Sequence, residues 1–507
     1  MPRYVTVKTE AGTLRGVESL GVTAFLGVPY GEADRFLSPE PARAWTGIRD
    51  AVTFGPAAPQ VDTRVYANGS MPEVLSLMYP RTGTPVEGGP MREDCLALNV
   101  WTPDAESGPA RPVMVWFHGG GFIHGTGAEM MFNGDRLASS GDVVVVTVNH
   151  RLGLFGHLPL DAALGERFAG SGNAGLSDLA LALEWVRDNI SAFGGDPANV
   201  TIFGQSGGAG KVATVMAMPR AAGLFHKAIM QSGPITKVAT VEDGDRLLDR
   251  VLRELDLPRS QAAGLLDISM RDLLDVQTAI FYGEPMRFGA GLFSNAIGLG
   301  PILDGEVLPI HPFDPGPAAQ AADVPLLIGS TVHDAALLLN EDPEYLELTE
   351  AGLSTVLRRD LGDQAGETVA RYRAEYPGES PRLLWSRIIS DLSFRQGSIA
   401  IAERKLTQPA AVYMYLFAQE TPILGELLGS CHSLDLPYAF NVVDRVPFVG
   451  QQADRQQVAD AMSRAWAAFA RTGDPSHETI PAWPRYSLEE RATMVIAGEW
   501  RVDKPQA

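Results

Sequence analysis

Short apolar, β-branched runs recur along this chain, with longer stretches of helical period between them. Residues 113–117 (VMVWF), 143–148 (VVVVTV), 200–203 (VTIF), 228–231 (AIMQ), 324–328 (VPLLI) and 412–417 (VYMYLF) are predominantly hydrophobic, as strands buried on both faces are. Their alternation with helical segments predicts an α/β fold with a mostly parallel central sheet flanked by helices. Leu179, Leu183, Val186 and Ile190 repeat at helical spacing over 177–190, and Gly194, Gly195, Asp196 and Pro197 predict a turn before the strand at 200. From about 243 to 293 the pattern is helical but less regular, with Leu247, Leu248, Val251, Leu252 and Leu255 on one face, which predicts a helical cap insertion. Residues 61–92, rich in Gly, Pro and Met, show no period and predict a long surface loop near the site entrance.

Candidate chemistry sits at the ends of these strands. Gly204, Gln205, Ser206, Gly207 and Gly208 match G-x-S-x-G directly after the 200–203 run and before a helix-like stretch at 210–218, the context of a nucleophile elbow. A glycine-rich turn with an incidental serine is the plainer reading of the motif alone, and the strand–turn–helix setting favours the nucleophile. His118, Gly119, Gly120, Gly121 and Phe122 follow the strand at 113–117. Glycines let a backbone approach a substrate without Cβ clashes, so the N–H groups of Gly120, Gly121 and Gly207 are the expected donors of an oxyanion hole.

A serine hydroxyl needs a base to take its proton. Among nine histidines, His432 lies late in the chain, in the turn-rich stretch 429–440 that follows the strand at 412–417. An acid between Ser206 and His432 in the chain would orient the base, and Asp334 follows the strand at 324–328 and the loop 329–333. Asp334 also precedes Ala335 and a run of leucines, so a helix N-cap is its competing role.

Composition narrows the partners. Lys plus Arg total 41 against 61 Asp plus Glu, a net charge of −20 that argues against nucleic acid and anionic membrane surfaces. No apolar run approaches the roughly 18 to 20 residues of a membrane span, and residues 1–10 alternate like a strand without the apolar centre of a secretory signal. Only Cys95 and Cys431 occur, which is no disulfide framework; a soluble, cytoplasmic protein is expected. At 507 residues the length alone allows about three domains, yet the motifs spread over the whole chain and favour one. The oligomeric state is not legible.

These residues resemble the type-B carboxylesterase and cholinesterase-like family of α/β-hydrolases, in its bacterial para-nitrobenzyl-esterase-like form, from about Gly12 to Tyr486. Matching segments run in the family's order: 25–30 (FLGVPY), 93–101 (EDCLALNVW), the glycine loop at His118, 149–153 (NHRLG), 189–197 (NISAFGGDP), 223–233 (GLFHKAIMQSG) and 432–438 (HSLDLPY). The resemblance implies one α/β-hydrolase unit over 1–507, hydrolysis of small-molecule carboxylic esters without metal or organic cofactor, and His432 as the catalytic histidine. It also supports Asp334, although the family commonly reads Asp-Glu-Gly where this chain reads His333, Asp334, Ala335. Gln205 and Gly207 stand where the family commonly has Glu and Ala, which removes a carboxylate beside the nucleophile and implies an altered rate or pH profile. Secreted relatives pair a cysteine like Cys95 with one before Pro-Gln, where this chain has Ala58; Cys95 is therefore expected free and buried. Whether Cys431 is reactive is left open. Arg151 and Asp178 match a buried ion pair. Tyr66, Met71, Met78, Phe281, Tyr282 and Phe288 are consistent with an apolar gorge or with ordinary packing. Two other functional classes stand beside ester hydrolysis: cleavage of a related amide, carbamate or lactone bond, and a catalytically silent interaction module.

Overall fold

Residues 3–61, 71–78, 90–103, 105, 109–282 and 299–504 are described in a computed structural model of the chain. Its frame is a sheet of thirteen strands among these residues. Twelve are β1 (Arg3–Lys8), β2 (Thr13–Ser19), β3 (Val22–Pro29), β4 (Ala97–Thr102), β5 (Arg111–Phe117), β6 (Val144–Val148), β7 (Gly195–Gln205), β8 (Lys227–Gln231), β9 (Leu326–Thr331), β10 (Val412–Phe417), β11 (Thr493–Ile496) and β12 (Arg501–Asp503). Their order is β1-β2-β3-β4-β6-β5-β7-β8-β9-β10-β11-β12, and the short strand Ile48–Asp50 pairs with β2. From β6 to β11 every pairing is parallel; antiparallel strands flank this block on both sides. The centre thus follows the continuous apolar runs.

Successive strand residues feed opposite faces, as the pleat requires. Val113, Val115 and Phe117 of β5 and Val144, Val146 and Val148 of β6 enter one core. Met114 and Trp116 of β5, Val145 of β6 and Phe203 of β7 enter the other. At the start of β7, Gly195 pairs with Arg111 and the next pair is Val113 with Val200, so residues 196–199 bulge out of the ladder, with Ala198 N–H on Asp196 Oδ1 at 2.9 Å, and the chain turns from Gly194, whose φ is +77°, through this bulge. The Gly195–Arg111 pair lies outside the apolar run, because it needs only backbone.

Helix α1 (Met71–Met78) lies inside the aperiodic stretch 61–92 and buries Val74 and Met78. One i, i+4 pair is too short a signal to show a period. Helix α2 (Ala174–Asn189) carries the expected face over 177–190, and α3 (Gly207–Ala217) follows β7. In the 243–293 region the described residues form α4 (Val241–Glu254), opened by a capping box between Thr240 and Asp243, and α5 (Met270–Tyr282). Leu247, Leu248, Val251 and Leu252 of α4 pack with Leu273, Val276 and Ile280 of α5 against Phe155, Leu158 and Ile123, a third core over the glycine loop. Met78 is a core residue and Phe281 packs on the third core. Tyr66, Phe288 and the side chains of Met71 and Tyr282 lie outside the described residues. Among those residues no helix is long and apolar enough to cross a membrane.

Arg151, directly after β6, is buried against Asp178 of α2. Its guanidinium Nη2 lies 2.6 Å from Asp178 Oδ1 and its Nε 2.9 Å from Oδ2, while Nη1 donates to Leu37 O at 2.6 Å. Alanine at 151 leaves the Asp178 carboxylate buried without its cation, which costs about 3–5 kcal/mol. Urea unfolding of Arg151→Ala is expected to show that loss, or the protein to be insoluble; an unchanged midpoint would refute a structural role.

Candidate active site

Parallel strands end on the same edge of a sheet, and the loops leaving β5, β7, β9 and β10 there bring the candidate residues together. Ser206 sits between β7 and α3 with φ 57° and ψ −126°, a conformation that costs a residue with a Cβ of order 1–3 kcal/mol. The turn is pinned by Ser206 N–H on Gln231 O at 2.8 Å and by Gly210 N–H on Ser206 O at 3.1 Å. Gly208 has no alternative, since a Cβ there would lie 2.1 Å from Phe117 O. Ser206 itself is partly exposed.

The glycine loop lies against this elbow. A Cβ on Gly119 would come 3.5 Å from Ser206 Cβ, and one on Gly207 would come 2.5 Å from Gly121 N. Gly120 and Gly121 have φ of +87° and +58°. Among the described residues the N–H groups of Gly120, Gly121 and Gly207 donate to no protein acceptor. For Gly207, first in α3, that follows from its place at a helix start.

His432 Nδ1 lies 2.7 Å from Asp334 Oδ1, and both side chains are buried. The other oxygen, Asp334 Oδ2, accepts from Ser232 Oγ at 3.0 Å and from Thr331 N–H at 2.9 Å. The competing N-cap role does not hold. Helix α6 (Asp334–Leu339) has His333 at its N-cap without a side-chain cap bond, and Asp334 is its first helical residue. Its loop is stapled to that of His432 by a bridge pairing His333 with Cys431 and by His333 N–H on Ser430 O at 2.9 Å. His333 Nδ1 accepts from Ser430 N–H, which leaves Nε2–H for Glu379 at 2.8 Å; Arg387 grips the same carboxylate. Phe394, within a π-helical turn Asp391–Arg395, sets its ring 5.3 Å from that of His432.

The Asp334 contact fixes the histidine tautomer. With Nδ1–H donated to Asp334, Nε2 carries a lone pair, and the Gln205 amide Nε2 sits 3.1 Å from it. That amide can only donate there, while Gln205 Oε1 accepts from Ser433 Oγ at 3.3 Å.

Three further buried groups stand near the site. Ser232, which holds Asp334, follows β8 with φ of +48°. Asp435 is fully buried, takes the Gln231 amide at 2.7 Å and the Tyr415 hydroxyl at 3.2 Å, and is pushed up to about 6 by burial. Lys211 is buried in α3, and a lysine inside the otherwise small and apolar run GGAGKVATVMA is a readable signal. Both cysteines are free and fully buried, and burial pushes the Cys431 thiol up, which disfavours its thiolate.

A parallel sheet in this order, with a serine on a left-handed turn between a strand and its helix, is the α/β-hydrolase architecture. The chain belongs to the carboxylesterase family, whose model matches residues 3–505, and is a carboxylic-ester hydrolase. It is 35% identical to the para-nitrobenzyl esterase of Bacillus subtilis (strain 168), over 98% of this chain and 96% of that one. It is 33% identical to the phenmedipham hydrolase of Pseudarthrobacter oxydans, over 97% and 94%. Among solved structures, a Geobacillus stearothermophilus carboxylesterase superposes with a TM-score of 0.81 at 35% identity, covering 98% of this chain and 97% of its own. An esterase of Clostridium hathewayi, described as able to hydrolyse aliphatic aromatic polyesters, superposes with a TM-score of 0.82 at 34% identity, covering 99% and 97%.

Proposed function

We propose that this chain is a serine carboxylesterase working through an acyl-enzyme, with Ser206 as nucleophile, His432 as general base and Asp334 as the acid that orients it. The observation that carries this reading is the buried 2.7 Å contact from His432 Nδ1 to Asp334 Oδ1 on the loop edge that also holds Ser206. Asp334 keeps the lone pair on Nε2, the atom that takes the Ser206 proton during attack on the ester carbonyl. The tetrahedral oxyanion rests on the N–H groups of Gly120, Gly121 and Gly207. Collapse expels the alcohol, protonated by the imidazolium, and leaves Ser206 acylated. Water activated by His432 then releases the acid. The two unpaired cysteines suit a reducing compartment, and a cytoplasmic location belongs to the same reading.

Gln205 occupies the lone pair of His432 Nε2 in this state, so the Ser206 hydroxyl displaces its amide on the way to attack. An ionised carboxylate in its place accepts only and favours the imidazolium. Gln205→Glu is therefore expected to move the acidic limb of the kcat/KM profile about one pH unit higher. A limb that stays where it is in the wild type would remove this role for Gln205.

The direct test treats wild-type protein with a serine-reactive phosphonate, maps the adduct by mass spectrometry, and measures hydrolysis of short and medium p-nitrophenyl esters. Turnover with the adduct on Ser206 is expected. A folded protein with neither turnover nor adduct would overturn the reading and favour a silent interaction module.

A further inference from the structure

Behind the glycine loop lies a buried cation that the reaction above does not use. Lys211 is fully buried in α3, one turn after the elbow. Its ammonium Nζ donates to His118 O at 2.8 Å and to Gly119 O at 3.4 Å, and stands 5.4 Å from the centre of the Phe122 ring. Among the described residues the acceptors of this ammonium are carbonyls of the segment that leads into Gly120 and Gly121.

Peptide geometry links these bonds to the cleft. In a trans peptide the C=O of one residue and the N–H of the next point in opposite directions. A Gly119 carbonyl held by Lys211 at 3.4 Å, beside His118 Nδ1 at 3.0 Å, therefore turns the Gly120 N–H away from both, in a loop whose Gly119 borders Ser206. A charged donor on that carbonyl also draws electron density from the amide and makes its N–H a stronger donor.

We infer that Lys211 is a positioning residue for ester hydrolysis, its ammonium aiming and polarising the Gly120 N–H as an oxyanion donor. The inference rests on the serine-esterase reading above. Its surroundings make the clamp sensitive to pH. His118 and His124 face it from the glycine loop, His150 from the end of β6 and His157 from the turn beyond, and burial holds all four histidines below their ordinary range. Glu129 is the acidic group that acts on it. Burial pushes the Lys211 ammonium down to about 7, against the weaker pull of Glu129. The clamp is charged below that pH and loses its charge as pH rises through it.

The test compares wild type, Lys211→Met and Lys211→Gln in kcat, KM, pH profile and phosphonate labelling. Methionine fills the space without a donor; glutamine restores a neutral N–H donor. Lys211→Met is expected to lower kcat about 10- to 100-fold with KM changed less than about twofold. It is also expected to lose a decline in kcat that the wild type shows as pH rises through about 7. Lys211→Gln is expected to recover part of the rate without restoring that decline. If both variants keep the wild-type kcat and profile per labelled site, Lys211 only packs, and the inference is overturned. Should Lys211→Met fail to fold, the glutamine variant and the wild-type profile decide in the same way. Absence of label on wild-type Ser206 would instead remove the underlying reading.

Discussion

Replacing Ser206 with alanine is expected to lower kcat for a p-nitrophenyl ester by about 10⁶-fold while leaving the fold intact. The size follows from losing the covalent route altogether, since water at the same place is a weaker nucleophile and reaches neither the elbow's alignment nor the base. Preservation of the fold follows from what holds the turn. The Ser206 N–H and C=O make their bonds to Gln231 and Gly210 through the backbone, and the strained φ of 57° is imposed by the chain on alanine as on serine. The side-chain oxygen contributes nothing to either. Thermal unfolding of Ser206→Ala is accordingly expected within about 1 kcal/mol of wild type. Ester turnover at wild-type rates in a pure preparation of the variant would assign the chemistry to another residue.

How far the site could be read in the sequence depended on whether each part is locally encoded. The elbow and the glycine loop are local: each is a short motif at the end of an apolar strand, and both were legible with the strands that carry them. The buried strands themselves were legible because both faces are covered, so β5, β6 and β10 read as unbroken apolar runs. Strands β2 and β3 mix buried and half-buried positions and are paired by backbone, which left little trace in hydrophobicity. The acid was ambiguous for a different reason. Asp334 begins a helix in sequence, and only the parallel pairing of β9 with β10 brings it to His432, 98 residues later. Gln205 and Lys211 act on atoms far away in the chain, and neither contact follows from spacing. Met78 shows the converse: an apolar residue in an aperiodic stretch that packs in the core instead of lining a cleft.

Asparagine at 334 is expected to lower kcat by about 10⁴-fold with little change in KM. Asp334 Oδ1 accepts the proton of His432 Nδ1, and Oδ2 accepts from Ser232 Oγ and Thr331 N–H, so the three donors around it already use both oxygens. Asparagine offers one carbonyl and one NH₂ group of the same shape. If its NH₂ faces His432, Nδ1 must accept, the proton moves to Nε2, and the base loses the lone pair that serves Ser206. If it faces Ser232 and Thr331 instead, two donors meet, the Thr331 N–H is left buried without an acceptor, and the imidazolium formed in attack loses its counter-charge. Either orientation harms the chemical step more than substrate binding, which is why the loss falls on kcat. Glutamate at 334 separates charge from reach, because it restores the anion but must fit one more methylene into a fully buried site. Activity between that of wild type and Asp334→Asn is expected for it. A kcat for Asp334→Asn within tenfold of wild type would show that another acid orients His432, and Asp435, buried three residues beyond that histidine, would be the group to change next.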